Sequence, residues 1–170
     1  MDEKAMTRAE RAFVTGQQIE EKFGGCAQCV LRSLILNGCD IPKEVFRSAS
    51  GLAAGVGRQG ETCGAVTGAV LALSALYGRE FDRFDETEAR DKTFGLCYRF
   101  MDKFRAEYGS IQCCDIQKDK YGRKFEMYDP EEFRAFLAAG GHDPGGCPSV
   151  VGNAAKFVVE ILEEEGYFQE

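Results

Sequence analysis

The segment Thr62-Cys63-Gly64-Ala65-Val66-Thr67-Gly68 places a thiol at the predicted first turn of an apolar helix. With Thr62 as N-cap, the unpaired amide N–H groups and the aligned peptide dipoles lie beside Cys63 and favour its thiolate. A thiolate attacks disulfides and ligates metals, whereas a buried thiol acts as a small hydrophobe. Three more cysteines hold comparable positions. Cys26 follows Gly24-Gly25 and opens a predicted helix, and Cys113 follows Gly109-Ser110 at the start of a short helical turn. Cys147 precedes Pro148, which as a first helical residue makes Cys147 an N-cap. Helix N-termini stabilise anions, so if these four starts converge, Cys26, Cys63, Cys113 and Cys147 suit thiolates around a metal ion or an iron–sulfur cluster. A set of four thiolates serves zinc and a 2Fe-2S cluster equally well, so ligand type leaves that choice open.

The chain has eight cysteines in 170 residues, which calls for either a secreted disulfide scaffold or an intracellular thiol or metal site. The charged start Met1-Asp2-Glu3-Lys4 reads as no signal peptide. At 44% hydrophobic the chain can bury a core without cross-links, so a cytoplasmic location is expected. The other four cysteines invite plainer readings. Cys97 falls in an apolar helical stripe and reads as core, Cys39 lies in a turn, and Cys114 is the neighbour of Cys113. Cys29 completes Cys26-Ala27-Gln28-Cys29, a spacing shared by dithiol sites and metal knuckles.

Absences narrow the chemistry. His142 is the only histidine and lies in the Gly-rich loop 139–146, where it reads as a loop residue rather than a ligand, so no Ser-His-Asp or Cys-His pair can be drawn. Net charge is -7, with no long basic run, which argues against nucleic acid as a partner. The longest uncharged stretch, Thr62 to Gly78, contains two further glycines and reads as a buried core helix, so no membrane insertion is expected.

The elements that must position these thiols are helical. Predicted helices run from about Asp2 to Phe23, Cys26 to Leu36, onward from Pro42, from Cys63 to Gly78, Glu86 to Tyr108, Pro130 to Ala139 and Pro148 to Glu165. Apolar/polar alternation is never sustained, so the fold class is all-α: a single-domain bundle of about six or seven helices, with the Cys63 helix central. Phe94, Cys97, Met101, Phe104 and Tyr108 form one stripe of the long fifth helix. Residues 115–129 are rich in charge and read as a polar surface excursion. Gly64, Gly68 and Ala72, spaced by four, form a row that lets another helix approach closely.

Taken together, Gly25-Cys26-Ala27-Gln28, Cys63-Gly64-Ala65-Val66-Thr67-Gly68, Gly109-Ser110-Ile111-Gln112-Cys113 and the last cysteine, Cys147, resemble the C_GCAxxG_C_C family of redox-active proteins over roughly residues 23–162. The resemblance implies that Cys26, Cys63, Cys113 and Cys147 are the family cysteines. A related domain in a type of cytochrome suggests, by analogy, an iron–sulfur centre. Cys29 and Cys114 depart from the family pattern and imply either extra ligands or disulfide chemistry.

Three functions compete. The first is a small electron-transfer or cluster-binding protein in which four thiolates hold a 2Fe-2S cluster or a single metal ion such as Zn, working with a redox partner protein. The second is a thiol–disulfide protein with Cys63 or Cys26 as the reactive thiol. The third is a non-catalytic helical interaction domain with packing cysteines. The Phe-rich helices make a homodimer plausible.

Overall fold

In the computed structural model, which describes residues 5–169, eight α-helices account for most of the chain: α1 (Arg8–Phe23), α2 (Cys26–Leu36), α3 (Lys43–Ser48), α4 (Gly64–Tyr77), α5 (Thr87–Tyr108), α6 (Cys113–Tyr121), α7 (Pro130–Ala138) and α8 (Cys147–Glu164). The class is all-α, with one helix more than the seven expected because α6 is a full helix. The first helix starts at Arg8 rather than near Asp2, which lies outside the described residues. Thr7 sets that start through a capping box, in which its hydroxyl accepts from the Glu10 N–H and the Glu10 carboxylate accepts from the Thr7 N–H.

Helix α4 is the axis of the molecule. None of its residues is exposed, and Gly64, Ala65, Val66, Gly68, Ala69, Ala72 and Leu73 are buried. The row of small residues does what its spacing implies: α4 packs on α2 with Gly68 against the backbone of Ala27. The broadest helix pair is α1 on α8, where Gly16 meets Val151 and Gly152 meets Phe13. The Ser33 hydroxyl donates to the Ala12 carbonyl at 2.6 Å and ties α2 to α1. Among the described residues, no helix is long and apolar enough to cross a membrane.

Two local expectations are corrected. Residues 115–129 are not a surface excursion: Ile116 and Gln117 of α6 are buried, as are Phe125 and Met127 beyond it. The charges of this segment face outward, while Phe125 and Met127 join Phe136 of α7 in a second small core with edge-on aromatic contacts. Phe94, placed by periodicity in the α5 stripe, is 65% exposed, and the buried face of that helix is Thr93, Leu96, Phe100 and Phe104 instead. Thr93, one position before Phe94, faces inward, and its hydroxyl donates to the Tyr77 carbonyl at 2.8 Å. Cys97 is half-buried and packs against the main core, as its stripe implies, and Cys39, just after the turn that ends α2, is buried.

Between α3 and α4 the backbone runs left-handed through five consecutive residues, Ala54, Gly55, Val56, Gly57 and Arg58, with φ between 51° and 76°. For the three non-glycine residues this conformation costs about 1–2 kcal/mol each. Such strain persists only where the surroundings over-determine it, and this segment forms one wall of the cavity described below. A Cβ at Gly55 would stand 2.6 Å from the Gly60 carbonyl carbon. Gly55→Ala is therefore expected to destabilise the protein by at least about 2 kcal/mol, from left-handed strain together with backbone overlap. A denaturant midpoint equal to that of the parent would contradict this.

Candidate functional site

The four cysteines begin their helices for local reasons. Gly24 and Gly25, both with positive φ, turn the chain sharply from α1 into α2 and leave Cys26 as the first helical residue. Cys113 likewise opens α6. Two expected positions shift by one residue. Cys63 is itself the N-cap of α4 rather than a first-turn residue behind Thr62. Cys147 is the first residue of α8, with Gly146 as N-cap and Pro148 second.

Thr62 has another task. It forms an isolated antiparallel bridge with Gln112, flanked by bonds from the Cys63 N–H to the Ile111 carbonyl (2.8 Å) and from the Cys113 N–H to the Glu61 carbonyl (2.7 Å). This long-range pairing sets the starts of α4 and α6 side by side. On the other flank, Gly64 lies so close to α2 that a Cβ there would overlap the Cys26 sulfur. The Cys147 N–H donates to the Gly141 carbonyl at 3.0 Å, fixing the start of α8 within the glycine loop.

These constraints bring Cys26, Cys63, Cys113 and Cys147 to one cavity of about 150 Å³. Its remaining wall is apolar, including Ile116, Met127, Phe133, Phe136 and Val150, with Glu20, Arg58, Gln117 and His142 as the polar members. Cys29 and Cys114 do not line it. The Cys29 thiol turns away and donates to the Gly24 carbonyl at 3.0 Å. Cys114 approaches the neighbouring Asp115.

Each of the four sulfurs faces a polar N–H or O–H. The Ala54 amide, held by the left-handed segment, faces Cys26, and the Ala65 and Val66 amides face Cys63. Gln117 Nε2 donates to Cys113 Sγ at 3.5 Å, while its Oε1 accepts from the Phe125 N–H. The Tyr121 hydroxyl donates toward Cys147 Sγ at 3.9 Å. Hydrogen bonds to sulfur and second-shell donors are the levers by which proteins tune thiolate-bound metals and clusters.

The electrostatics overturn one expectation. Burial pushes the Cys63 thiol up to about 12, assisted by the nearby Cys147, and outweighs the amides at the head of α4. Burial does the same to Cys147, also reaching about 12, against the pull of the Tyr121 hydroxyl and Lys120. Cys26 and Cys113 are raised as well, first by burial and then by neighbouring groups, among them Cys63 in both cases. A helix start favours an anion by a fraction of a kcal/mol to about 2 kcal/mol, whereas removing a charge from water costs more. Without a cation the four thiols hold their protons.

Glu20 was not marked as a cavity residue by the sequence, and His142 was read only as a loop residue. Glu20 is only 3% exposed, and its Oε2 has no hydrogen-bond partner. The signal was present, since Ala9, Ala12, Gly16 and Glu20 are spaced by three, four and four and so share the inward face of α1. His142 is half-buried, edge-on to Phe133 and Phe136, with burial lowering its pKa, and no motif marked it. Among the described residues, no three His, Cys, Asp or Glu side chains stand close enough together to hold a single metal ion.

No curated protein and no solved structure matches the chain. The family model described as "Putative redox-active protein (C_GCAxxG_C_C)" matches it over residues 25–161. That match spans all four cavity cysteines and most of the chain, which therefore belongs to the C_GCAxxG_C_C family.

Proposed function

We propose that Cys26, Cys63, Cys113 and Cys147 hold a redox centre, with a 2Fe-2S cluster preferred over a single zinc ion. The observation that carries this reading is one cavity lined by four sulfurs from four helix starts, each facing its own donor. Four thiols lining one cavity, with no three His, Cys, Asp or Glu side chains among the described residues close enough for a single ion, suit a group of several atoms better than a bare ion, which needs sulfurs about 2.3 Å from one point. When bound, such a group supplies one-electron transfer. The residues would supply thiolate ligands, hydrogen bonds to sulfur, and an apolar cover from Phe133, Phe136 and Met127 that limits water. A reducing cytoplasm keeps the thiols available, and a redox partner protein would deliver or accept the electron.

Reconstitution with iron and sulfide without oxygen tests the reading. Coloured protein with bound iron and acid-labile sulfide is expected, lost on Cys→Ser at any of the four positions and retained on Cys29→Ser or Cys114→Ser. Retention of the colour in all four single variants would sink it.

One observation favours a second reading. Gly64 follows Cys63 directly in the chain, and a Cβ on it would overlap the Cys26 sulfur, so Cys26 Sγ lies against the residue next to Cys63. In metal-free protein these two would form the disulfide if the site works by thiol exchange. A Cys26–Cys63 cross-linked peptide after treatment with a small disulfide oxidant, in protein that takes up no iron, would select that mechanism.

A further inference from the structure

The unpartnered Glu20 oxygen has a place in this site. Glu20 projects from α1 into the cavity wall, with its Oε2 buried and lacking any donor. Its one close polar companion is Cys29, which belongs to α2 but not to the four-sulfur set. The ionisable and charged groups around the same cavity are Cys26 on α2, Cys63 at the head of α4, Cys113 on α6, Cys147 on α8, Arg58 in the left-handed segment and His142 in the glycine loop. None of them is ion-paired with Glu20 in the structure. A buried carboxylate left without a donor is costly, so this position is tolerable either as a neutral acid or opposite a positive charge.

We infer that Glu20 is the proton-coupling carboxyl of the cavity, taking up one proton as the four-sulfur site gains one electron and releasing it when the site is reoxidised. The inference rests on the four-cysteine reading. One electron comes from a one-electron reductant and one proton passes from solvent to Glu20 Oε2, so the charge of the cavity is conserved and no bond to sulfur is broken. Burial already raises Glu20 to about 7. Added negative charge nearby raises it further, so the reduced protein binds the proton more tightly than the oxidised one. Glu20 acts through the site rather than on a substrate and is a positioning residue.

The linkage fixes the sign. Between the Glu20 pKa of the oxidised protein and that of the reduced protein, the midpoint potential falls as pH rises. Potentiometric titration of the reconstituted protein with dithionite, across the pH range around 7, is expected to show this slope in the parent. Glu20→Gln, which keeps the shape and removes the proton, is expected to give a flat potential, and Glu20→Asp to recover part of the slope. An unchanged slope in Glu20→Gln overturns the inference while leaving the four-cysteine reading intact. Infrared titration of metal-free protein supplies the second arm. A carboxylic acid band lost near pH 7 is expected in the parent and absent from Glu20→Gln, whereas titration at the ordinary pH of an exposed carboxyl overturns the inference. Protein that binds neither iron nor sulfide overturns both readings.

Discussion

Gly68→Ala is expected to unfold the protein or destabilise it by about 3 kcal/mol, at the upper end of what overpacking costs, whereas Gly64→Ala is expected to leave a folded chain with a damaged site. The two glycines lie one turn apart on the same face of α4, and both meet α2, so sequence spacing alone would treat them alike. Their neighbours differ. A Cβ at Gly68 would lie 2.5 Å from the Ala27 carbonyl oxygen and 2.9 Å from its Cα, and backbone inside a helix has nowhere to go. A Cβ at Gly64 meets first the Cys26 sulfur, which can leave by rotating about χ1. The sulfur would leave the position where the Ala54 amide faces it. Denaturant titration should separate the two variants by midpoint, and iron content after reconstitution should be low in Gly64→Ala even where its midpoint is near that of the parent. Equal iron content in Gly64→Ala and parent would show that Cys26 is not held by this contact.

The contrast shows where the sequence is legible. Helix starts are local events written in local chemistry, and Gly24-Gly25, the Asp129-Pro130 pair and Gly146-Cys147-Pro148 announce them within a residue or two. Four cysteines at four such starts were visible for that reason. The Gly64-Gly68-Ala72 row was also readable, because its message depends only on helical period. What brings the starts together was not. The Thr62–Gln112 bridge joins residues 50 positions apart in sequence through backbone atoms, which carry no side-chain signature. The left-handed run at Ala54, Val56 and Arg58 contradicts the intrinsic preference of each of those residues, so propensity points away from it. The segment after Cys114 misled because its charges outnumber its apolar residues. Ile116, Gln117 and Met127 nevertheless fall inward and line the cavity, and Phe125 is buried beside them, since the short α6 needs to bury only one narrow face.

Cys63 shows a different limit. Its helix-terminal position was readable, and the favourable dipole inferred from it is physically sound. The magnitude of burial was not readable, because it depends on Cys147 and on elements far away in sequence. Local geometry gave the sign of one effect, and tertiary packing supplied the larger, opposite one.

That reversal leads to the largest expected effect, a steep loss of stability in alkali for metal-free protein. An unfolded cysteine loses its proton near pH 8.5, whereas Cys63 and Cys147 hold theirs in the folded chain to about 12. Folded protein then binds more protons than unfolded protein, so stability falls with rising pH. The sign follows from burial: the contribution is present in full below the ordinary thiol pKa and is lost as pH rises toward the folded value. Within that window each such thiol removes about 1.4 kcal/mol per pH unit, so Cys63 and Cys147 together act at roughly twice that rate, and Cys26 and Cys113 are shifted in the same direction. With all four thiols removing up to about 5.6 kcal/mol per pH unit above the ordinary thiol pKa, a typical domain stability of about 5–15 kcal/mol is lost roughly one to three units above that value, so metal-free protein should unfold at about pH 9.5 to 11. Loading the site should reverse the trend, because ligation requires thiolates and a bound cation pays for their burial. Circular dichroism against pH, with and without reconstitution, tests both halves. A metal-free protein as stable at pH 10 as at pH 7 would mean that the four sulfurs already carry their charge, as the dipoles at the helix starts alone would have it.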